Sequence, residues 1–188
     1  MTHSNVVPVP LIVSTGTDVL EPTATISPHY SNDIGIAVNN RHNLSVAEKL
    51  ELIQNPYTPN TGTGMPYNFP TYTRMIKKST DSTPVARCVR FNPHWLNSFP
   101  WLAYSPRYEG GFCIPCVLFA PHDVGGQTLN TLVKTPLSGL QYVKAVEMCK
   151  THQKKAYHTT SAQNMDTFIS TVQSPRGNVS QQNNASFA

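Results

Sequence analysis

The sequence predicts a small α+β domain carried between long disordered flanks, and three observations predict it. First, of 188 residues 39% are apolar and 13% charged, against about 45–50% and about 25% in a typical globular chain. The balance lies in Pro, Thr, Ser, Asn and Gln, with 16 prolines. That composition supports one small core, because ordering the polar remainder costs more entropy than its burial offsets. Second, the aromatic residues with regular spacing gather between 85 and 172. Third, short alternating runs stand there beside helical stripes, which is the α+β mixture.

Taken in order, residues 1–32 have four prolines and no period, and a disordered tail is expected. Residues 33–84 read as a short helix and a Pro/Gly-rich linker. The helix falls between Asn43 and Ile53: Ser45 and Glu48 have capping-box spacing, and Val46, Leu50 and Ile53 recur at helical intervals before Asn55-Pro56. Pro59, Pro66, Pro70 and a Thr-Gly-Thr-Gly run exclude regular structure from Tyr57 to Tyr72. The folded domain is expected over 85–172. Val85 to Phe91 alternates as a strand, which places Cys88 in the core. Asn92-Pro93 starts a helix of one or two turns, with Phe91 and Leu96 stapled across its cap and Pro100 ending it. Trp101 to Tyr104 forms a second strand, and Trp95, Phe99, Trp101 and Tyr104 build a small core. Gly110-Gly111 turns the chain into a hairpin-like apolar segment, Phe112 to Phe119. A longer helix starts near Ser138 and passes Met148, and a Ser/Asn/Gln-rich tail covers 173–188.

Membrane and secreted classes drop out at this level. No stretch approaches the roughly 20 apolar residues of a span. Val6 to Val13 is broken by Pro8 and Pro10 and lacks a basic lead, so it does not read as a signal peptide. The four cysteines are then expected to be reduced, and the Asn-x-Ser triplets at Asn43, Asn178 and Asn184 to be chance matches. Charge is uneven. Residues 1–73 set two basic side chains against five acidic ones, a net of −3, whereas 74–158 sets eleven against four, a net of +7. A basic middle points to an anionic partner, or to a merely solvated basic surface.

Chemistry concentrates in Cys113-x2-Cys116 and His152-x5-His158. Two thiolates with two residues between them on a tight turn face one ion, and two imidazoles around a helix end complete a tetrahedron. A closed Cys2His2 set leaves no open position, so the expected cofactor is one structural Zn2+. Cys149 complicates the set. It lies on one helical stripe with Tyr142, Ala145 and Val146, close to His152, so it is either a buried packing thiol or a ligand in place of His158. His158 stands about 240° beyond His152 on an unbroken helix, so both reach one ion only where the helix ends between them. Cys88, His94 and His122, with His3, His29 and His42, rank lower as ligands. A redox reading of Cys113-x2-Cys116 lacks the βαβ context it needs.

The run Phe91-x3-Trp95-Leu96-x2-Phe99-Pro100-Trp101-Leu102-x-Tyr104-Ser105, then Phe112-Cys113-x2-Cys116-x2-Phe119, Gly139-x2-Tyr142 and His152-x5-His158, resembles the TTF-type zinc finger. That domain belongs to hAT-superfamily transposases and transposase-derived proteins, including those similar to zinc finger MYM-type proteins. Asp33-Ile34-Gly35 and the helix before Asn55-Pro56 resemble the segment preceding the finger, so the likeness spans roughly 33 to 172. Tyr142 stands where the family usually has Trp and is expected to fill the same core slot. The resemblance implies a nuclear module recognising transposon-end DNA. The family's ribonuclease-H-like catalytic domain, with its acidic residues, has no counterpart in these residues, so the chain is expected not to be an enzyme and to take no small-molecule substrate. Phosphate contacts are expected from Lys144, Lys150, Lys154 and Lys155 around the final helix, with Lys134, Arg87 and Arg90 adding to them. The alternative is a zinc-stabilised protein-interaction module without DNA binding.

Overall fold

Two short antiparallel hairpins and five helices make up the α+β architecture, in a computed structural model that describes residues 32–77, 83–121 and 124–174. The expected tails at 1–31 and 175–188, with His3, His29 and His122, lie outside the described residues. A 3-10 turn at Ile34–Ile36 comes first, capped by Asp33, whose carboxylate accepts the Gly35 N–H at 2.8 Å. Helix α1, Val46–Gln54, follows with the expected capping box: the Ser45 hydroxyl accepts the Glu48 N–H, and the Glu48 carboxylate accepts the Ser45 N–H at 2.8 Å.

Strand β1, Thr71–Ile76, pairs antiparallel with β2, Val85–Arg90. β2 matches the expectation. β1 overturns the expectation that Tyr57 to Tyr72 is wholly irregular, since Thr71 and Tyr72 open it. Pro70 sits just ahead of the strand, where it removes no ladder hydrogen bond. Cys88 is exposed, not core. A two-stranded ribbon has nothing stacked on its outer face, so alternation there does not imply burial. Helix α2, His94–Ser98, begins where Asn92 accepts the His94 N–H at 3.0 Å.

Strands β3, Leu102–Ser105, and β4, Gly110–Cys113, form the central hairpin, and every residue of both is buried. It separates two apolar clusters. Leu102, Tyr104 and Cys113 face the first, with Phe69, Phe91, Trp95, Phe99, Leu132, Leu137, Ala145, Cys149 and Tyr157. Ala103 and Phe112 face the second, with Ile34, Ala37, Val38, Leu52, Ile114, Val117 and Leu118. Alternation along a strand sends neighbours to opposite faces, so one hairpin serves both clusters. Gly110 and Gly111 are therefore strand residues, not the expected turn. Gly111 exchanges backbone hydrogen bonds with Leu137, at 3.0 and 2.8 Å, and a Cβ there would stand 3.0 Å from both Leu102 and Phe91. Close approach, not chain reversal, requires glycine here.

The apolar segment beyond β4 is not a second hairpin arm: Ile114–Phe119 is helix α3, with Pro115 in its first turn. Helix α4, Tyr142–His152, starts later than Ser138, because Gly139 takes a left-handed φ of 59°. Helix α5, Ala156–Gln173, packs along α3. The cores also reach upstream of residue 85. Ile34 of the 3-10 turn, Ala37 and Val38 just after it, Leu52 of α1 and Phe69 are all buried, so part of the expected linker packs into the two apolar clusters. Tyr142 departs from its expected core slot: it is 56% exposed, with its ring 6.2 Å from that of Trp95.

Candidate metal centre

Cys113 ends β4 and caps α3, and Cys116 sits in the first turn of that helix. The turn points both sulfurs one way, and the Cys116 backbone N–H donates to the Cys113 sulfur. His152 is the last residue of α4. The chain then leaves the helix through Gln153–Lys155 and re-enters one at Ala156, putting His158 in the first turn of α5. The break that the histidine spacing demands is present. It brings His158 back beside His152, with ring centroids 5.0 Å apart.

The donor atoms of Cys113, Cys116, His152 and His158 all lie within 4.8 Å of one another, and all four residues are buried. His158 Nδ1 is 3.4 Å from Cys113 Sγ and 3.5 Å from Cys116 Sγ, and His152 Nε2 is 3.5 Å from Cys116 Sγ. Bonds of about 2.3 Å to sulfur and about 2.0–2.1 Å to nitrogen, at tetrahedral angles, separate the two donors by about 3.5 Å. These three sulfur–nitrogen spacings match those around one tetrahedral ion. Among the described residues these four can bind one metal ion.

Electrostatics agree with the geometry. The Cys113 thiol beside Cys116 and the two imidazoles lower the Cys116 pKa and favour its thiolate, whereas burial pushes the Cys113 thiol up. Two buried thiolates side by side are costly without a cation, and a divalent ion removes that cost. His152 offers Nε2 to an ion, because its Nδ1 faces the Tyr157 hydroxyl at 3.3 Å. That outer contact sets the tautomer and the ring angle. Trp101 closes the site, with its ring centroid 5.3 Å from each histidine.

Cys149 lies outside this group. It is fully buried in the first apolar cluster, and burial pushes its thiol up to about 12. His94 and His42 are exposed and away from the site, and so is Cys88. Spacing picked out the four residues that cluster here but not Tyr157, which stands next to His158 in sequence and carries no motif of its own. Trp101 was legible only as a core aromatic.

The seven basic residues expected at phosphates are all exposed but do not share one face. Arg87 and Arg90, three apart on β2, point to opposite sides of the ribbon. Lys144 and Lys150, six apart on α4, diverge by about 120°. Lys154 lies in the break, and Lys155 caps α5. Lys144 and Lys155 do border one cleft of about 470 Å3, together with Glu147, Met148, Thr151 and Tyr157. Lys134 lies in the loop before α4. No helix among the described residues is long and apolar enough to cross a membrane. No known protein family, no curated protein and no solved structure gives a match to this chain.

Proposed function

We propose that this chain is a zinc-dependent DNA-binding module of a transposase or transposase-derived protein, working in the nucleus and without catalytic residues of its own. The carrying observation is the closed, buried Cys2His2 set: four protein donors use every position of a tetrahedral ion, leaving none for substrate. Such a site stabilises a fold. The ion is zinc on this reading, because two thiolates with two imidazoles at tetrahedral spacing are a zinc donor set. When bound, zinc supplies folding free energy and no chemistry. Partner choice rests on the TTF-type resemblance and on the exposed basic side chains Arg87, Arg90, Lys134, Lys144, Lys150, Lys154 and Lys155.

The test is duplex binding by the zinc-loaded chain across a salt series. Four phosphate contacts give a log–log slope of roughly −3 to −4. Replacing Lys150, Lys154 and Lys155 by Ala weakens all duplexes alike and flattens the slope while zinc content stays at one per chain. Affinity independent of salt, or a triple variant equal to the parent, favours the second reading, a zinc-stabilised protein-interaction module. One observation favours that reading: the half-buried Met148 presents apolar surface to the cleft between Lys144 and Lys155, over the buried Leu132 and Tyr157.

A further inference from the structure

Among the described residues, no hydrogen bond or ring contact engages one face of the β1–β2 ribbon. In the antiparallel register Thr71 pairs with Arg90, Thr73 with Cys88 and Met75 with Ala86. Directly paired residues share a face, so these six side chains form one surface, and all six are exposed. The opposite face is tethered to the body. There the Tyr72 hydroxyl donates to the Glu109 carboxylate at 2.9 Å, and Arg74 Nε donates to the Gly139 carbonyl at 3.1 Å. The ribbon is thus anchored along one side and presented along the other. Over residues 71–77 and 83–90 it carries Arg74, Lys77, Arg87 and Arg90 and no acidic residue.

We infer that this ribbon enters the DNA major groove with its Thr71, Thr73, Met75, Ala86, Cys88 and Arg90 face toward the base edges. The inference rests on the DNA-binding reading above and names the element that reads sequence. Size fits: two strands about 4.8 Å apart, with short side chains, pass into a groove about 12 Å wide. Chemistry fits as well. Arginine pairs bidentately with guanine N7 and O6, threonine hydroxyls donate to or accept from either kind of base, and alanine or threonine methyls pack on thymine methyls. Apart from Arg90 and Met75 the face is made of small side chains, so the backbone approaches the bases closely. Arg87 belongs to the tethered face, paired with Arg74, but is exposed and on this inference reaches around the ribbon edge to a phosphate, so the two arginines of β2 play different parts. That split is opposite to treating them as one basic patch.

The zinc-loaded full chain is offered a pool of duplexes with a randomised core, and the bound fraction is sequenced. A motif containing guanine is expected. Arg90→Lys keeps the charge but loses the bidentate fork. It should lose about 5- to 150-fold on the motif, the range of one bidentate base contact, and be unchanged on a scrambled duplex. Arg87→Ala should weaken both duplexes equally and reduce the salt slope by about one. Replacing the motif purines by 7-deazapurines, which lack the major-groove N7, should match the Arg90→Lys loss. Cys88 is exposed while Cys113, Cys116 and Cys149 are buried, so alkylation of Cys88 by iodoacetamide should slow at least tenfold under the motif duplex. Enrichment of no motif, deazapurine duplexes bound like the parent duplex, Arg90→Lys equal to the parent on the motif, or unslowed alkylation of Cys88 with DNA bound overturns the ribbon inference alone. A parent chain that binds no duplex at low salt overturns the DNA-binding reading and this inference together.

Discussion

Exchanging His158 and Cys149 by alanine, one at a time, separates ligand from packing thiol. A structural zinc of this donor type contributes roughly 10–16 kcal/mol at neutral pH, so one of four ligands carries about 2.5–4 kcal/mol. His158 Nδ1 stands within 3.5 Å of both sulfurs, which makes it a full member of the set. His158→Ala should therefore weaken zinc binding about 100- to 1,000-fold at 1.4 kcal/mol per decade. Cys149→Ala removes one buried sulfur from an apolar cluster. That costs about 1 kcal/mol of stability and should leave zinc affinity within about threefold. Competition against a chromogenic chelator gives the affinities, and metal analysis of the purified chain gives the stoichiometry. Retention of parental affinity in His158→Ala with loss of the ion in Cys149→Ala would refute the ligand assignment and transfer the fourth position to Cys149.

Tyr157→Phe removes the hydroxyl 3.3 Å from His152 Nδ1 while keeping the ring, and should lower zinc affinity about 10- to 100-fold; an unchanged affinity denies the hydroxyl its orienting role. Gly35→Ala drives a Cβ against the Ser105 hydroxyl and to 2.8 Å from the Tyr108 ring. A thermal-melt loss of about 1–3 kcal/mol is expected, whereas an unshifted melt would mean that the 3-10 segment does not pack on the central hairpin. Alkali should destabilise the chain with a sign set by burial. The folded Cys149 pKa is raised to about 12 from a usual 9, so this stability is intact below pH 9 and is lost as pH rises toward 12. Tyr104, raised mainly by burial, acts in the same direction. Cys149→Ala should show the shallower fall over that window in denaturant titrations, and an equal fall rules out the thiol as a source.

Local features were legible from sequence wherever the determining contacts are themselves local. The α1 capping box, the Asn92-Pro93 helix start and the Cys113-x2-Cys116 turn each depend on residues within four positions, and each stands in the structure. Helix α5 was not read from sequence. It is rich in Ser and Thr, which compete for backbone hydrogen bonds. The structure turns that competition inward, as Thr160, Ser161, Thr167 and Thr171 each donate to the carbonyl four residues back. Its buried stripe gains meaning from α3, against which Phe119 and Phe168 meet at 5.3 Å.

The identity of the four donors was therefore in the sequence, as residue types at spacings that suit one tetrahedral ion. Their convergence was not. Cys113 and His158 are 45 residues apart, and they meet because the chain breaks helix at Gln153–Lys155 and lays α5 along α3. The same holds for burial. Alternation marked both β2 and β3 as strands, but β3 is buried on both faces because two clusters sandwich it. β2 keeps Cys88 in solvent because nothing among the described residues stacks on the ribbon's outer side. Periodicity records which residues share a face, and only the packing of distant segments decides what that face meets.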